Sequence, residues 1–233
     1  MVVAGLVAAS GSAEANFLRQ FDFEGEQGGT HPGSPELGYT IVTPITPDYA
    51  PGQGYGFTDT SGANEVIARN HGGADLRLKD FMFIDGIEPV FRVDVPENGV
   101  YEFDSWAGDM SSARFLRLEV SGDGGSNWTL YGKDTNTNDP LPGTFMTTFA
   151  DSASPGNFLQ TIPNGKSSAG VNYRFEAREF LQVHDAVNVT SGHILFRIGS
   201  SDRMYNSIVI TPEPSSMLLM AGIGAVAMIR RRR

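Results

Sequence analysis

The feature that most constrains the fold is the division of the chain into short apolar segments by glycine and proline. The 233 residues include 28 glycines and 13 prolines, and no long stretch repeats its apolar residues with the helical period of 3.6. Several segments instead alternate apolar with polar residues, as Phe91 to Val95 does. Alternation places one face of a strand against a core and the other in water. The sequence therefore predicts an all-β domain, an antiparallel β-sandwich of the jelly-roll kind.

Ten segments combine alternation or β-branched and aromatic residues with flanking turn signals. They are Phe17–Phe23, Leu76–Ile84, Val90–Val95, Val100–Ala107, Phe115–Ser121, Trp128–Tyr131, Phe145–Phe149, Tyr173–Val183, His193–Gly199 and Tyr205–Ile210. The pair Asn98-Gly99 predicts a tight hairpin between two of these strands, because both central positions of that turn favour positive φ. Residues 134–168, rich in Asn, Thr, Pro, Gly and Ser, predict a loop-rich insertion at one rim of the sandwich.

The N-terminal segment, residues 1–15, differs from the body of the chain. An apolar stretch leads to Ala13-Glu14-Ala15, which matches the small-residue pattern at which signal peptides are cleaved. The basic residues that usually begin a signal peptide are missing. We interpret the segment as a truncated signal peptide, with a disordered arm as the alternative, and place the β-sandwich domain at residues 16–211.

The C-terminal segment, residues 212–233, has three successive parts. Pro212, Glu213 and Pro214 form a stiff extended tripeptide, because proline fixes φ and disfavours helix in its predecessor. The run from Met217, Leu218 and Leu219 to Ile229 holds no charge, and Arg230, Arg231, Arg232 and Arg233 end the chain. The run predicts a C-terminal hydrophobic helix of about 20 Å, short of the roughly 30 Å hydrocarbon core, with its arginines on the cytoplasmic side. The alternative is a buried core helix.

This order of Pro-Glu-Pro, apolar run and arginine cluster resembles the PEP-CTERM sorting signal. The resemblance implies an exosortase as processing partner, transient anchoring in the inner membrane, and export to the cell envelope or extracellular matrix. It also implies a Gram-negative bacterium that makes exopolysaccharide. The signal is a substrate sequence, so it implies no catalytic role for the chain.

Composition narrows the remaining functions. The net charge of −10 repels nucleic acid, whose binding depends on phosphate neutralisation. The absence of cysteine excludes disulfides, thiol catalysis and cysteine metal sites. The four histidines lie in no zinc spacing, and no G-x-S-x-G nucleophile elbow occurs. We therefore expect a protein that is not an enzyme.

The body of the chain carries a second, more diffuse set of motifs. In order they are Phe21-Asp22-Phe23, Gly54-Tyr55-Gly56-Phe57, Asp80-Phe81, Phe91-Arg92-Val93-Asp94-Val95-Pro96, Gly99-Val100-Tyr101 and Gly108-Asp109. This order resembles the galactose-binding-like β-sandwich beside the catalytic domains of rhamnogalacturonan acetylesterases and some polysaccharide lyases, and is similar to malectin-type domains. The resemblance implies a carbohydrate-binding domain without catalytic motifs, with extracellular polysaccharide as partner.

The residues expected to bind sugar are Trp106, Asp109, Tyr55 and Tyr205, because sugar rings stack on exposed aromatics beside polar groups. Trp106 shares the parity of Glu102 and Asp104 in its strand, which predicts that it faces solvent. No cofactor is required by the sequence. A structural calcium site is a further hypothesis, built from Asp22, Asp80, Asp94 and Asp109.

Residues 121–128 match the Asp-box pattern S-x-D-G-G-x-x-W. We interpret the single copy as structural, with Asp123 accepting bonds from the turn's backbone and Trp128 packing beneath it. The leading functional hypothesis is a non-catalytic β-sandwich that binds extracellular polysaccharide. A structural matrix or surface protein without sugar specificity and a polysaccharide-active enzyme are the alternatives.

Overall fold

The computed structural model describes residues 17–23, 38–44, 48–70, 80–109, 114–132, 141–142, 144–149, 158–162, 174–175, 179–199 and 203–213. Every regular element among them is a strand, which confirms the all-β prediction. The strands are β1 (Arg19–Phe23), β2 (Thr40–Val42), β3 (Tyr55–Phe57), β4 (Glu65–Asn70), β5 (Asp80–Asp85), β6 (Val90–Asp94), β7 (Gly99–Gly108), β8 (Arg114–Phe115), β9 (Arg117–Ser121), β10 (Thr129–Tyr131), β11 (Thr144–Phe149), β12 (Phe158–Ile162), β13 (Arg174–Phe175), β14 (Glu179–Val189), β15 (His193–Gly199), β16 (Met204–Tyr205) and β17 (Ser207–Pro212).

Two sheets form the sandwich. The larger has seven strands in the order β12-β11-β14-β7-β17-β1-β2, and the smaller has five in the order β10-β9-β15-β6-β3. Described strand pairs are antiparallel except β1 with β2, which run parallel. Two smaller sheets, β16-β5-β4 and β13-β8, flank them.

The core between the sheets contains a cluster of aromatic rings. Phe91 in β6 contacts Phe21, Phe23 and Phe57 with ring centroids 4.9 to 5.1 Å apart. All four side chains are fully buried. The residues come from both sheets, so this cluster joins the sheets face to face. Such edge-on and tilted ring pairs add about 0.5–1.5 kcal/mol each beyond the burial of their area.

The Asn98-Gly99 dipeptide does not form the predicted hairpin. It links β6 in the smaller sheet to β7 in the larger sheet, so the chain crosses the sandwich here instead of folding back. The Asn98 side chain donates to the Thr190 carbonyl at 3.1 Å and accepts from the Gly192 N–H at 2.9 Å. The residue therefore ties together two crossings between the sheets, a pairing that local turn preference cannot reveal.

The predicted insertion at residues 134–168 contains two strands of the larger sheet. β11 pairs with β14, and β12 pairs with β11 at the sheet edge, so part of this region continues the sheet instead of forming rim loops. The polar composition that predicted loops is also acceptable in edge strands that border water.

The predicted domain boundary at residue 211 falls inside a strand. Pro212 is the last residue of β17 and pairs with Tyr101, and the Glu213 N–H donates to the Val100 carbonyl at 3.0 Å. Pro214 and the expected C-terminal helix lie outside the described residues. Within the described part of the chain, no helix is long and apolar enough to cross a membrane.

Candidate functional site

Trp106 is buried, so the prediction that it faces solvent is wrong. Its side chain is 5% exposed, and the residues beside it from Ser105 to Asp109 are buried as well. Strict alternation of buried and partly exposed residues in β7 stops at Ser105, because both faces of the strand are covered beyond that point. A ring covered in this way offers no face to a sugar.

The other three predicted sugar contacts also serve packing. Tyr205 is fully buried; its hydroxyl donates to the Pro89 carbonyl at 2.9 Å and accepts from the Ile198 N–H at 3.0 Å. Burial raises its pKa well above the usual tyrosine value. Asp109 is 1% exposed and forms an ion pair with Arg114. Half-buried Tyr55 packs on Phe21 with ring centroids 4.9 Å apart.

Three of the four aspartates of the calcium hypothesis, Asp22, Asp80 and Asp94, lie in different sheets. Asp22 lies in the larger sheet, whereas Asp94 lies in the smaller one, where it accepts from Arg92 and from Tyr49 at 2.8 and 2.7 Å. Asp80 begins β5 in a third sheet. Among the described residues, no group of three His, Cys, Asp or Glu side chains could hold a metal ion. Sequence order gives no information on which strands become neighbours, so the structural calcium site stays a hypothesis.

The Asp-box turn folds as predicted, as a hydrogen-bonded structural unit. Asp123 Oδ1 accepts from the Ser121 hydroxyl at 2.8 Å and from the Asn127 N–H at 2.9 Å, while Oδ2 accepts from the Asn127 amide at 2.6 Å. Gly124 and Gly125 adopt φ of 73° and 88°, the left-handed region that glycine occupies without strain. The Trp128 indole N–H donates to the Gly125 carbonyl at 3.0 Å, which holds the ring under the turn.

These bonds hold the Asp123 carboxylate in its ionised form. The side chain of Asn127 first, then its backbone N–H and the Ser121 hydroxyl, lower the pKa of Asp123 to about 2. Bonds to the charged form always shift a carboxyl pKa in this direction. The turn is therefore rigid and negatively charged at neutral pH.

A pocket of about 350 Å³ lies between this turn and the end of β14. Among the described residues it is lined by Val120, Ser121, Gly122, Asp123, Asn127, Thr129, Tyr131, Ala186, Val187, Asn188 and Thr190. The smaller sheet supplies one wall through β9 and β10, and the larger sheet supplies the other through β14. The Asp-box turn packs directly on that second wall, because the Thr190 N–H donates to the Gly122 carbonyl at 2.8 Å.

A bond between the two sheets borders the pocket at Tyr131. The Tyr131 hydroxyl donates to Asp185 Oδ2 at 3.0 Å. Burial first, and the nearby Asp185 charge second, raise the pKa of Tyr131 above its usual value, so the phenol stays protonated as the donor. Near the mouth, Asn127, Thr129, Asn188 and Thr190 are exposed. The pocket thus presents amide and hydroxyl groups, the complement of sugar hydroxyls.

Sequence reasoning missed this site for an identifiable reason. The Asp box was visible as a motif, but its turn was interpreted only as a structural unit. The opposite wall comes from Ala186 to Thr190, about sixty residues further along the chain. Only the pairing of β14 with β7, and the packing of Thr190 on Gly122, bring the two walls together.

Loss of the Asp123 carboxylate should loosen the turn in a pH-dependent way. Its folded pKa lies below the ordinary aspartate value, so its stabilising effect is complete above about pH 4 and is lost as the pH falls toward 2. We expect Asp123→Ala to lower the thermal midpoint at pH 7, and we expect its difference from the parent chain to shrink as the pH falls through 2. Thermal unfolding across this range measures the difference. Glu97→Ala, which removes an exposed carboxylate outside the turn, is the control. A loss of thermal stability in Asp123→Ala that is independent of pH would contradict the account.

Comparison with known proteins identifies the C-terminal segment. The family profile of the PEP-CTERM protein-sorting motif matches residues 211–233, which confirms the predicted signal. No curated protein matches the chain.

Solved structures of a Bacteroides uniformis β-glucuronidase are similar to the chain. They include β-glucuronidase 2 covalently bound to cyclophellitol-6-carboxylate aziridine, at 13% identity and a TM-score of 0.44, and a calcium-binding mutant of that enzyme, at 13% and 0.43. Each alignment covers 86% of this chain and 18% of the other, so the chain corresponds to less than a fifth of those proteins.

Proposed function

We propose that this chain is a non-catalytic envelope protein that binds an extracellular polysaccharide through the pocket between the Asp-box turn and β14. We propose in addition that the sandwich is of the galactose-binding-like kind. The sorting motif implies export, transient membrane anchoring and processing by an exosortase.

The observation that carries the proposal is the chemistry of the pocket. Its volume of about 350 Å³ suits one or two sugar rings and falls within the range of small-molecule sites. Asn127, Thr129, Asn188 and Thr190 offer both donors and acceptors near its mouth. The hydrogen-bonded Asp-box turn fixes one wall in advance, which lowers the cost of ordering on binding.

The same geometry supports a binding role over hydrolysis. Sugar hydrolysis by the usual route needs one carboxylic acid with a raised pKa and a second carboxylate across the bond. In this pocket Asp123 has its pKa lowered to about 2, and both its oxygens accept bonds from the turn. A carboxyl so acidic is poorly suited to donate a proton near neutral pH. Asp123 is thus suited to hold a sugar and not to protonate a leaving group.

Binding should depend on exposed side chains in the pocket and not on Trp106. We expect the full chain to be retarded in affinity gels containing acidic or galactose-rich polysaccharide. Removing hydrogen bonds from Thr129 and Asn188 together should weaken binding about tenfold, at roughly 0.5–1.5 kcal/mol per bond. The double variant Thr129→Ala with Asn188→Ala tests this against Thr58→Ala, an exposed threonine outside the pocket.

Each alternative predicts a different result. A matrix protein without sugar specificity would show no retardation in any gel. A polysaccharide-active enzyme would shorten the polymer, which size-exclusion chromatography of the incubated polysaccharide detects. Retardation that survives the double variant would place binding elsewhere on the surface and refute the pocket.

A further inference from the structure

The sorting motif joins the folded domain without a spacer. Pro212 pairs with Tyr101 in the larger sheet, and the Glu213 N–H donates to the Val100 carbonyl. Between Glu213 and the first residue of the apolar run, Met217, stand only Pro214, Ser215 and Ser216. Even fully extended, these four steps span no more than about 14 Å. While the apolar run is held in a membrane, the end of β17 must therefore lie close to the lipid surface.

The pocket lies at the same level of the sandwich as this tether. Across the larger sheet, Pro212 is in register with Tyr101, and Tyr101 is in register with Val187 of the pocket wall. One residue further, Val100 accepts from Glu213 and pairs with Asn188. Neighbouring strands are about 4.8 Å apart, so the tether and the pocket wall are separated by about 10 Å.

The surrounding turns share this pole of the sandwich. The Thr190–Gly192 connection and the Asp-box turn contact each other through the Thr190 N–H and the Gly122 carbonyl. Leu18 lies just before Arg19, which pairs with Ile210 near the end of β17, and it is 51% exposed. An exposed leucine beside the tether is well placed to contact lipid headgroups.

We infer that the anchored precursor holds this pole against the lipid surface, so that a long polysaccharide can reach the pocket only after the tag is removed. The inference rests on the proposed function of the pocket. The partner surface is a lipid bilayer. The three residues Pro214, Ser215 and Ser216 form the tether and limit the distance between the end of β17 and that bilayer. A polymer threaded through the pocket would have to enter the gap between domain and bilayer, whereas a short oligosaccharide would not. Processing would then release the protein and expose its binding site together.

Orientation can be measured without any sugar. The chain has no cysteine, so a single label can be placed at will. Full-length chain with a fluorophore at Asn188→Cys is incorporated into phosphatidylcholine vesicles that carry a headgroup quencher. We expect at least twofold stronger quenching there than at Glu88→Cys, on the exposed turn before the opposite end of β6. Twenty Gly-Ser residues inserted after Ser216 reach about 25 Å and should abolish this difference. Equal quenching at both positions without the insertion would overturn the inference.

Access is then measured on the same vesicles. The polysaccharide retarded by the soluble protein should bind the anchored chain at least tenfold more weakly than the anchored chain with the insertion after Ser216. A tetrasaccharide from the same polymer should bind both alike. The same insertion at the exposed Ser61-Gly62 turn is the control, and it should not restore binding of the polysaccharide to the anchored chain. Equal polymer binding with and without the spacer refutes occlusion. Absence of binding in every form, soluble protein included, refutes the proposed function, while the quenching result still decides the orientation.

Discussion

Replacing Trp106 with alanine is expected to lower the free energy of unfolding by about 3–5 kcal/mol, the range for emptying a buried aromatic site. The side chain is 5% exposed, and its strand is flanked on both sides by Gln182 of β14 and Ser207 of β17. The Trp106 carbonyl also accepts from the Asn206 N–H at 3.1 Å. Because the surrounding strands are held in register, they can close the cavity only in part.

Urea unfolding of the chain measures this loss, with the slope of the transition unchanged. Trp128→Ala is the matched control, since these are the only two tryptophans in the chain. Trp128 is half-buried, with the Arg197 guanidinium 4.2 Å from its ring centroid, so a smaller loss is expected in proportion to the apolar area removed from water. If Trp106→Ala lowered the free energy of unfolding by less than about 1 kcal/mol, the ring would be exposed to solvent, as the alternation of residues in its strand predicted.

Most of the sheet could be predicted from residue patterns. Alternation predicted β6, β9 and the part of β7 before Ser105, because each has one face in the core and a partly exposed face outside. Strands β2 and β3 were missed since each has only three residues, and the middle residue of β3 is Gly56. A strand that short owes its conformation to its neighbour: β3 pairs with β6, and its Phe57 completes the aromatic core.

The errors share one physical cause, which is that they concern contacts between distant parts of the chain. Parity within β7 could not reveal that both faces are covered beyond Ser105. Likewise, the preference of Asn98-Gly99 for a hairpin was outweighed by the crossing between the sheets. The pocket failed to emerge for the same reason, because its walls meet only when Thr190 packs on Gly122. The sorting motif was predicted correctly because all of its parts lie in consecutive residues.

Processing in a host that has an exosortase should remove the whole apolar run and the arginines. The profile match covers residues 211–233, and we expect protein recovered from the envelope or medium to lack Met217 to Arg233. The effect should be nearly all-or-none, because the four arginines and the apolar run together prevent release while they remain attached. Intact-mass spectrometry of the recovered protein measures it. Pro214→Ala should leave precursor in the membrane, whereas Pro96→Ala, at an exposed proline outside the motif, should be processed normally.

The fold restricts where the cut can fall. Thr211 and Pro212 pair with Glu102 and Tyr101 inside the larger sheet, and Glu213 adds one further bond to Val100. A cut before Thr211 would shorten a strand that lies between β7 and β1, whereas a cut after Glu213 leaves the sheet intact. We therefore expect the mature protein to end between Glu213 and Met217 and to unfold at the same temperature as the precursor. A mature form that ends before Thr211, or that keeps Arg230 to Arg233, would show that the enzyme does not treat the folded domain and the tag as separate units.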